Sequence, residues 1–440
     1  MMKKLITIIL FTATVLLPQS KVFTLEEAVQ TGVAASKMLS ISKSKIKSSE
    51  ERVSEINAGR LPQLKLSAGY TRLSEVDPFE IKLPIFANPV RIQDVILDNW
   101  SVKVGITQPL FTGNRLSGMK AAAEKNLEAE VSEFESEINE ETFRIITAYF
   151  NLQRSENLTE IISKNLAVIA RRLDDAKNLF SNGMLTKNDL LKIEVQKKNI
   201  ELKLLEANDN LLQARASFNL LLGLDINYGS SAVKADADVK LSDYDFKKLT
   251  EKALSQRNDL LAAGKRLAAG EEMVSANSSG WYPEVYLFGN FYYSRPNQRY
   301  QPVKDEFKET WDAGVALSWS LWDGGATSSK TSQAEQEVSK AKENISLLKD
   351  RIALEVYQSY LQYKTAWEKI QLGKIALEQS MEQEKIVESS FANSTATSSD
   401  VVDASNSRIT NEIDLLNSVI SFRLSEFRLL KAAGSSLREK

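Results

Sequence analysis

Between Trp311 and Leu321 the chain reads WDAGVALSWSL, and every second residue is apolar: Trp311, Ala313, Val315, Leu317, Trp319 and Leu321. The residues between them are small or polar, so the pattern is that of a strand with one apolar and one wet face. The same design stands upstream, where Trp100, Val102, Val104, Ile106 and Leu110 alternate with Ser101, Lys103, Gly105 and Thr107. Trp100 and Trp311 are 211 positions apart, and that offset carries downstream without a gap. It takes Gly113 to Gly324, Tyr149 to Tyr360, Phe180 to Phe391, Asp189 to Asp400 and Gly223 to Gly434. A register kept over such a distance predicts two copies of one structural unit.

The prolines show how each copy is laid out. Apart from Pro18 they stand at 62, 78, 84, 89, 109, 283, 296 and 302, leaving 110–282 and everything after 302 free of them. Proline breaks helix interiors, so the two free segments predict long helices and the proline-bearing blocks predict strands and loops. A helix is expected over 25–58 and a strand pair over 63–73 and 100–111. A helix of about 65 residues follows from about Leu116, with apolar residues in steps of three and four, and it would reach roughly 100 Å. A turn near 181–186 leads to a second helix that ends at Gly223. After a polar, irregular segment over 224–245, the second copy occupies 246–434. It has a helix over 246–276, a strand pair over 284–293 and 311–322, a helix over 329–392, a tip near 393–397 and a last helix to Ala433. Residues 435–440 form a short tail.

Composition narrows the function. The 440 residues include no His and no Cys. That removes Ser-His-Asp and Cys-His nucleophiles, imidazole and thiolate zinc sites, and disulfides, so no metal or cofactor site is expected. Lys3 and Lys4 precede an apolar run from Leu5 to Leu17 and then Pro18, the order of a secretory leader over residues 1–20. The formal net charge of −2 and the lack of a basic cluster argue against nucleic acid. No stretch has the some twenty uninterrupted apolar residues of a membrane helix.

Strands of ten to twelve residues suit an outer membrane, with aromatics at their ends as interface anchors: Trp100, Trp281, Trp311, Trp319 and Trp322. The competing reading is a soluble sandwich, in which a second sheet covers Trp311, Val315 and Leu317; none is evident in the chain. Four strands cannot close a barrel, and an open edge in lipid leaves backbone groups unsatisfied. A membrane sheet therefore needs several chains, two giving eight strands and three giving twelve.

With the strand pairs, the helical hairpins and the duplication in view, the chain resembles the TolC family of outer-membrane efflux ducts. The motifs that carry the resemblance are LEEA at 25–28 and the tip sequences FSNGMLTKNDLL at 180–191 and FANSTATSSDVVDA at 391–404. The resemblance implies an α+β membrane protein, a homotrimer whose twelve-stranded β-barrel in the outer membrane continues into a long α-helical barrel through the periplasm. It implies an exit duct of a tripartite efflux or type I secretion system, working with a periplasmic adaptor and an inner-membrane transporter. It places the periplasmic gate at Asp400 and Asp403 of the DVVDA motif. Adaptor contact falls to the two tips, Asn182, Gly183, Met184, Leu185 and Thr186 on the first and Asn393, Ser394, Thr395, Ala396 and Thr397 on the second.

Six carboxylates at one constriction of a trimer would raise one another's pKa and attract cations, giving a cation-selective, pH-sensitive entrance. Asp400 also stands three residues after Thr397, the spacing of a helix cap, so capping and gating are both open for it. Asp403 has Lys192 as its first-copy equivalent, and a cap does not need an acid there. The family's polar or basic locking residues fall on Phe391 and Ala396 here, and Lys187 or Lys192 could pair with the aspartates instead. Two other functions compete. A carboxylate-pair glycosidase finds no distinctive pair among 58 acids. An exported coiled-coil adhesin or scaffold accounts for the helices and leaves the strand pairs unexplained.

Overall fold

In the computed structural model of the chain the described residues are 20–82, 84–86, 89–93, 95–234, 239–393 and 395–438. The leader expected over 1–20 lies outside them up to residue 19; Ser20 opens the first strand.

The chain begins with β1 (Ser20–Phe23), α1 (Leu25–Ala35) and α2 (Lys37–Ala58). The sequence reads as one helix there, but Ser36 is extended at ψ 119°. Its hydroxyl accepts the Leu39 N–H at 3.3 Å and donates to Glu141 at 2.8 Å, so a local cap and a distant carboxylate win over helix continuation. Next come β2 (Gln63–Arg72), a small hairpin of β3 (Phe79–Ile81) and β4 (Val90–Gln93) within the expected loop, and β5 (Asp98–Thr112). The long helix α3 (Arg115–Ser181) and α4 (Lys187–Leu221) complete the first half, and β6 (Gly229–Ala232) lies in the segment read as irregular.

The second half repeats the order with α5 (Phe246–Gln256), α6 (Asn258–Asn277), a 3-10 turn (Ser278–Trp281), β7 (Glu284–Arg295), β8 (Lys308–Ser318), α7 (Ala326–Ala392) and α8 (Ser398–Ala432). Here too one expected helix is two. Arg257 is extended at ψ 125°, its guanidinium held by Asp259 at 2.8 Å and Glu355 at 2.6 Å.

The repeat holds to the residue. α3 and α7 have 67 residues each and α4 and α8 have 35 each. Adding 211 to their first residues, 115 and 187, gives 326 and 398. Upstream of the long helices the offset is 221: it takes α1 at 25 to α5 at 246, the break at 36 to that at 257, and Pro62 to Pro283. The change falls within the strand pairs, between residues 73–97 in one copy and 296–307 in the other.

By contact the chain forms two compact units, each drawing on both halves. One comprises Met1–Lys43, Glu133–Leu260 and Leu348–Lys440. In it β1 and β6 pair in parallel, and Phe23, Ile145, Tyr149, Leu152, Phe218 and Ile420 pack as a buried core. The other comprises Ser44–Ser132 and Leu261–Leu347 and contains an antiparallel sheet in the order β2-β5-β7-β8. Among the described residues no helix is long and apolar enough to cross a membrane.

The register of this sheet sorts its faces. Leu66, Val104, Phe291 and Trp311 stand in one cross-strand row, and Lys65, Gly105, Asn290 and Asp312 in the next. Period two puts these rows on opposite faces, one apolar and one polar. On the apolar face Leu64 is 74% and Trp311 73% exposed. Among the described residues the outer edges of β2 and β8 have no partner strand. The strand expected over 311–322 starts earlier and ends at Ser318, although the alternation continues through Trp319 and Leu321. Ser318 pairs with Glu284, the first residue of β7, and Pro283 before it has no N–H to extend the ladder.

Candidate functional site

The tips that join α3 to α4 and α7 to α8 are built from matching backbone bonds. At the first, the Gly183 N–H bonds to the Phe180 carbonyl at 3.0 Å and the Met184 N–H to the Leu179 carbonyl at 2.9 Å. This is a Schellman ending, and it needs the left-handed φ of +73° that Gly183 adopts. At the second, the Thr395 N–H bonds to the Ser390 carbonyl at 2.9 Å, the equivalent of the Met184 bond. Ser394, which stands where Gly183 does, lies outside the described residues. Asn182 and Asn393 each donate a side-chain hydrogen bond back to the carbonyl four residues earlier, at 2.9 Å in both. Met184 is 70% exposed, whereas Leu185 packs against the seam of Ile169, Leu173, Leu190 and Ile193 inside the first hairpin. Ala396 is half-buried beside Thr397.

The next helix of each hairpin is capped by threonine. Thr186 accepts the Asp189 N–H at 3.2 Å and donates its hydroxyl to the Asp189 carboxylate at 2.6 Å. Thr397 accepts the Asp400 N–H at 3.2 Å, and its own N–H and hydroxyl both donate to Asp400 at 2.8 Å, a complete capping box. Hydrogen bonds from the Thr397 N–H and hydroxyl, with the charge of Lys192 nearby, hold the Asp400 carboxyl below the usual carboxylate range. Asp400 therefore makes the cap. Asp403, one turn on, is exposed on the same face of α8.

The lysines take other partners. Lys187 lies over the Phe180 ring at 5.6 Å, and Lys192 donates to the Ser399 hydroxyl at 3.3 Å. Among the described residues neither forms an ion pair with Asp400 or Asp403.

What joins the two hairpins is a charge network that the sequence did not reveal. Arg172 on α3 reaches Glu384 on α7 at 3.0 Å and also Glu388, while Arg408 on α8 reaches the other oxygen of Glu384 at 2.6 Å. Arg408 further bonds Glu412 at 2.7 Å and Asn165 on α3. The side chains of Arg172, Glu384 and Arg408 are 18%, 12% and 18% exposed. Burial works to raise the Glu384 carboxyl, but the hydrogen bonds from Arg172 and Ser405 and the charges of both arginines outweigh it and hold the group low. Nearby, Gln196 on α4 donates to Asn406 on α8 at 2.6 Å. The only trace of the network in the sequence is the spacing of four in Glu384–Glu388 and Arg408–Glu412, which is ordinary on any charged helix.

The five tryptophans expected as interface anchors fall at the two ends of the sheet and on its apolar face. The Trp100 and Tyr70 rings meet at a tilt, with centroids 4.5 Å apart, at one end. At the other, the Trp319 indole donates to the Trp281 carbonyl at 3.3 Å, and Trp322 is exposed in the connection to α7. Trp319 and Trp322 thus lie beyond the strand that the sequence assigned to them. Trp311 lies between the ends, on the apolar face.

Over residues 33–224 and 249–435 the chain matches the sequence model of the family described as outer membrane efflux protein. The outer membrane protein TolC of Vibrio cholerae is 25% identical over 290 residues, 65% of this chain and 62% of that protein. The chain thus spans less than two thirds of this relative's length. Among solved structures, the outer membrane protein VceC of Vibrio cholerae aligns with a TM-score of 0.76 at 19% identity, over 94% of this chain and 96% of that one. The CmeC outer membrane channel of Campylobacter jejuni aligns with a TM-score of 0.78 at 14% identity, over 93% and 85%. At such identities the likeness establishes a common fold: an α+β arrangement of strand pairs between long helical hairpins.

Proposed function

We infer that this chain, which belongs to the outer membrane efflux protein family, is one third of a pore. It is an outer-membrane protein of an efflux channel family. The proposal is that three copies join edge to edge, β8 of one on β2 of the next, into a closed barrel of twelve strands. The two repeats, 21–223 and 246–434 with 224–245 between them, would then each supply one strand pair and one helical hairpin.

The observation that carries this reading is the two-faced sheet with free edges. A soluble sheet with Leu64, Leu66, Trp311, Val315 and Leu317 in water would aggregate. In a barrel the same side chains face lipid, while Lys65, Lys103, Asn290 and Asp312 face a wet lumen. The eleven steps of β7 from Glu284 to Arg295 rise about 36 Å. At a tilt of 35–45° that gives a height of about 28 Å, near the apolar band of such barrels. The end with Trp100 and Tyr70 and the end with Trp281 and Trp319 then lie at the two lipid–water boundaries.

The helices support the same assembly. α4 exposes Leu191, Val195, Leu202, Leu205 and Leu212, and α7 exposes Leu354, Tyr357, Leu361 and Ile375. The steps of three, four, seven and fourteen are those of coiled-coil seams left largely exposed among the described residues. Packing α4 of one copy against α7 of the next covers both and makes a helical tube through the periplasm. Cargo passes passively from an inner-membrane transporter and a periplasmic adaptor that meets the tips at Asn182–Thr186 and Asn393–Thr397, and Asp400 and Asp403 line the constriction there. The test is native mass spectrometry of detergent-extracted protein together with planar-bilayer recording. Trimers that conduct are expected; a monomer that forms no pores refutes the reading.

A further inference from the structure

Between the two hairpins, near their tips, α3, α4, α7 and α8 enclose a cavity of about 780 Å³. Its walls mix apolar side chains, among them Ile169 and Ala176 on α3, Ile193 on α4, Phe391 on α7 and Val401 on α8, with polar ones such as Gln196. A volume in this range, with apolar and polar groups sharing the walls, is that of a site for a drug-sized molecule. A polar group is placed for one. Ser398, on the first turn of α8, lines the cavity with only 2% of its surface exposed, and its Oγ has no hydrogen-bond partner among the described residues. A buried hydroxyl left without a partner is costly, and a ligand N–H donating to it would remove the cost.

Charge selects the ligand. The ionisable side chains on the lining are Arg172, Asp175, Asp189 and Glu388, three acids to one base. Arg172 is already bound to Glu384 and Glu388, and Asp189 to Thr186. Asp175 stands exposed at the rim with no ion pair among the described residues. The α8 terminus does not call for an anion, because Thr397 and Asp400 already cap it.

We propose that this cavity binds a cationic amphiphile of drug size, its flat apolar body between Ile193 and Val401 and its N–H group on the Ser398 hydroxyl, with Asp175 drawing in the positive charge. An occupant there touches α3 and α4 on one side and α8 on the other. It bridges the hairpins and favours the spacing seen in this structure. The site belongs to a single chain, so it stands or falls separately from the pore.

Ethidium tests it, as an aromatic cation that carries amino N–H groups and reports binding by fluorescence anisotropy. The full-length protein in a non-ionic detergent is expected to bind one ethidium per chain. Ala176→Phe, which fills the cavity, abolishes binding. Ser398→Ala weakens it about fivefold, the loss of one hydrogen bond. Asp175→Lys, at an exposed position that leaves the fold unchanged, weakens it about tenfold. Asp403→Asn leaves it unaltered. The proposal is overturned if the unaltered protein does not bind, if Asp175→Lys and Ser398→Ala bind as tightly as it does, or if Asp403→Asn removes binding and so puts the dye at the constriction.

Discussion

Glu384 holds two arginines from two different helices, and replacing it with glutamine tests whether that arrangement joins the hairpins. Glutamine keeps the shape but removes the charge, and its amide nitrogen then faces a guanidinium, donor against donor. Breaking a fully buried ion pair costs 3–5 kcal/mol. Here the three side chains keep 12–18% exposure, and Arg172 retains Glu388 while Arg408 retains Glu412. About 2–3 kcal/mol is the expected loss. It should be local, so hydrogen exchange at the amides of α7 and α8 beside the network is the assay, with about 30- to 150-fold faster exchange expected at neutral pH. Acid should reproduce the effect. The Glu384 carboxyl is held below its ordinary value, so its contribution is fully present above the unfolded pKa near about 4.3 and is lost as pH falls through the lower folded value. Glu384→Gln should remove that part of the acid response. A double-mutant cycle with Arg172→Ala checks that the two act together. Protection within twofold of the unaltered protein would refute the view that this network ties the hairpins.

Four further substitutions probe the tips and the seams. Asp403→Ala should reduce cation selectivity in single-channel recordings; unchanged conductance and selectivity would take Asp403 out of the constriction. Asp400→Ala should cost about 1 kcal/mol and loosen the first turn of α8 by hydrogen exchange, more than Asp189→Ala loosens α4, because only Asp400 also accepts the backbone N–H of its capping threonine. If the two are equal, the reciprocal bond to Asp400 adds nothing. Leu205→Arg, on an exposed α4 position, should convert trimers to monomers in native mass spectrometry; trimers that persist would show that this seam is not an interface.

The elements that local pattern controls were legible in the sequence. Alternation located all four long strands, spacing of three and four located the long helices, and the caps at Thr186 and Thr397 follow from Thr-x-x-Asp alone. What escaped notice depends on partners distant in the chain. Nothing in AASKM signals a break at Ser36, which is set by Glu141 more than a hundred residues away. Arg257 breaks its helix in the same way, through Glu355. The second offset of 221 was hidden because few side chains repeat over that part; what repeats is backbone, a helix of eleven residues and then an extended residue. At the tip, the cap made by Asp400 was legible from its spacing to Thr397, whereas the Arg172–Glu384–Arg408 network joins three helices that no spacing connects.

The equal lengths of the paired helices carry a constraint on how such a chain can change. Each heptad adds about 10 Å of helix, so deleting seven residues from α3 alone would leave it one register short of α4 and out of step with α7. A viable shortening must remove the same length from all four helices together, near matched positions. The reach of the hairpins is therefore inherited as two lengths, each written twice, and any descendant with longer or shorter hairpins should show coincident insertions or gaps about 211 residues apart.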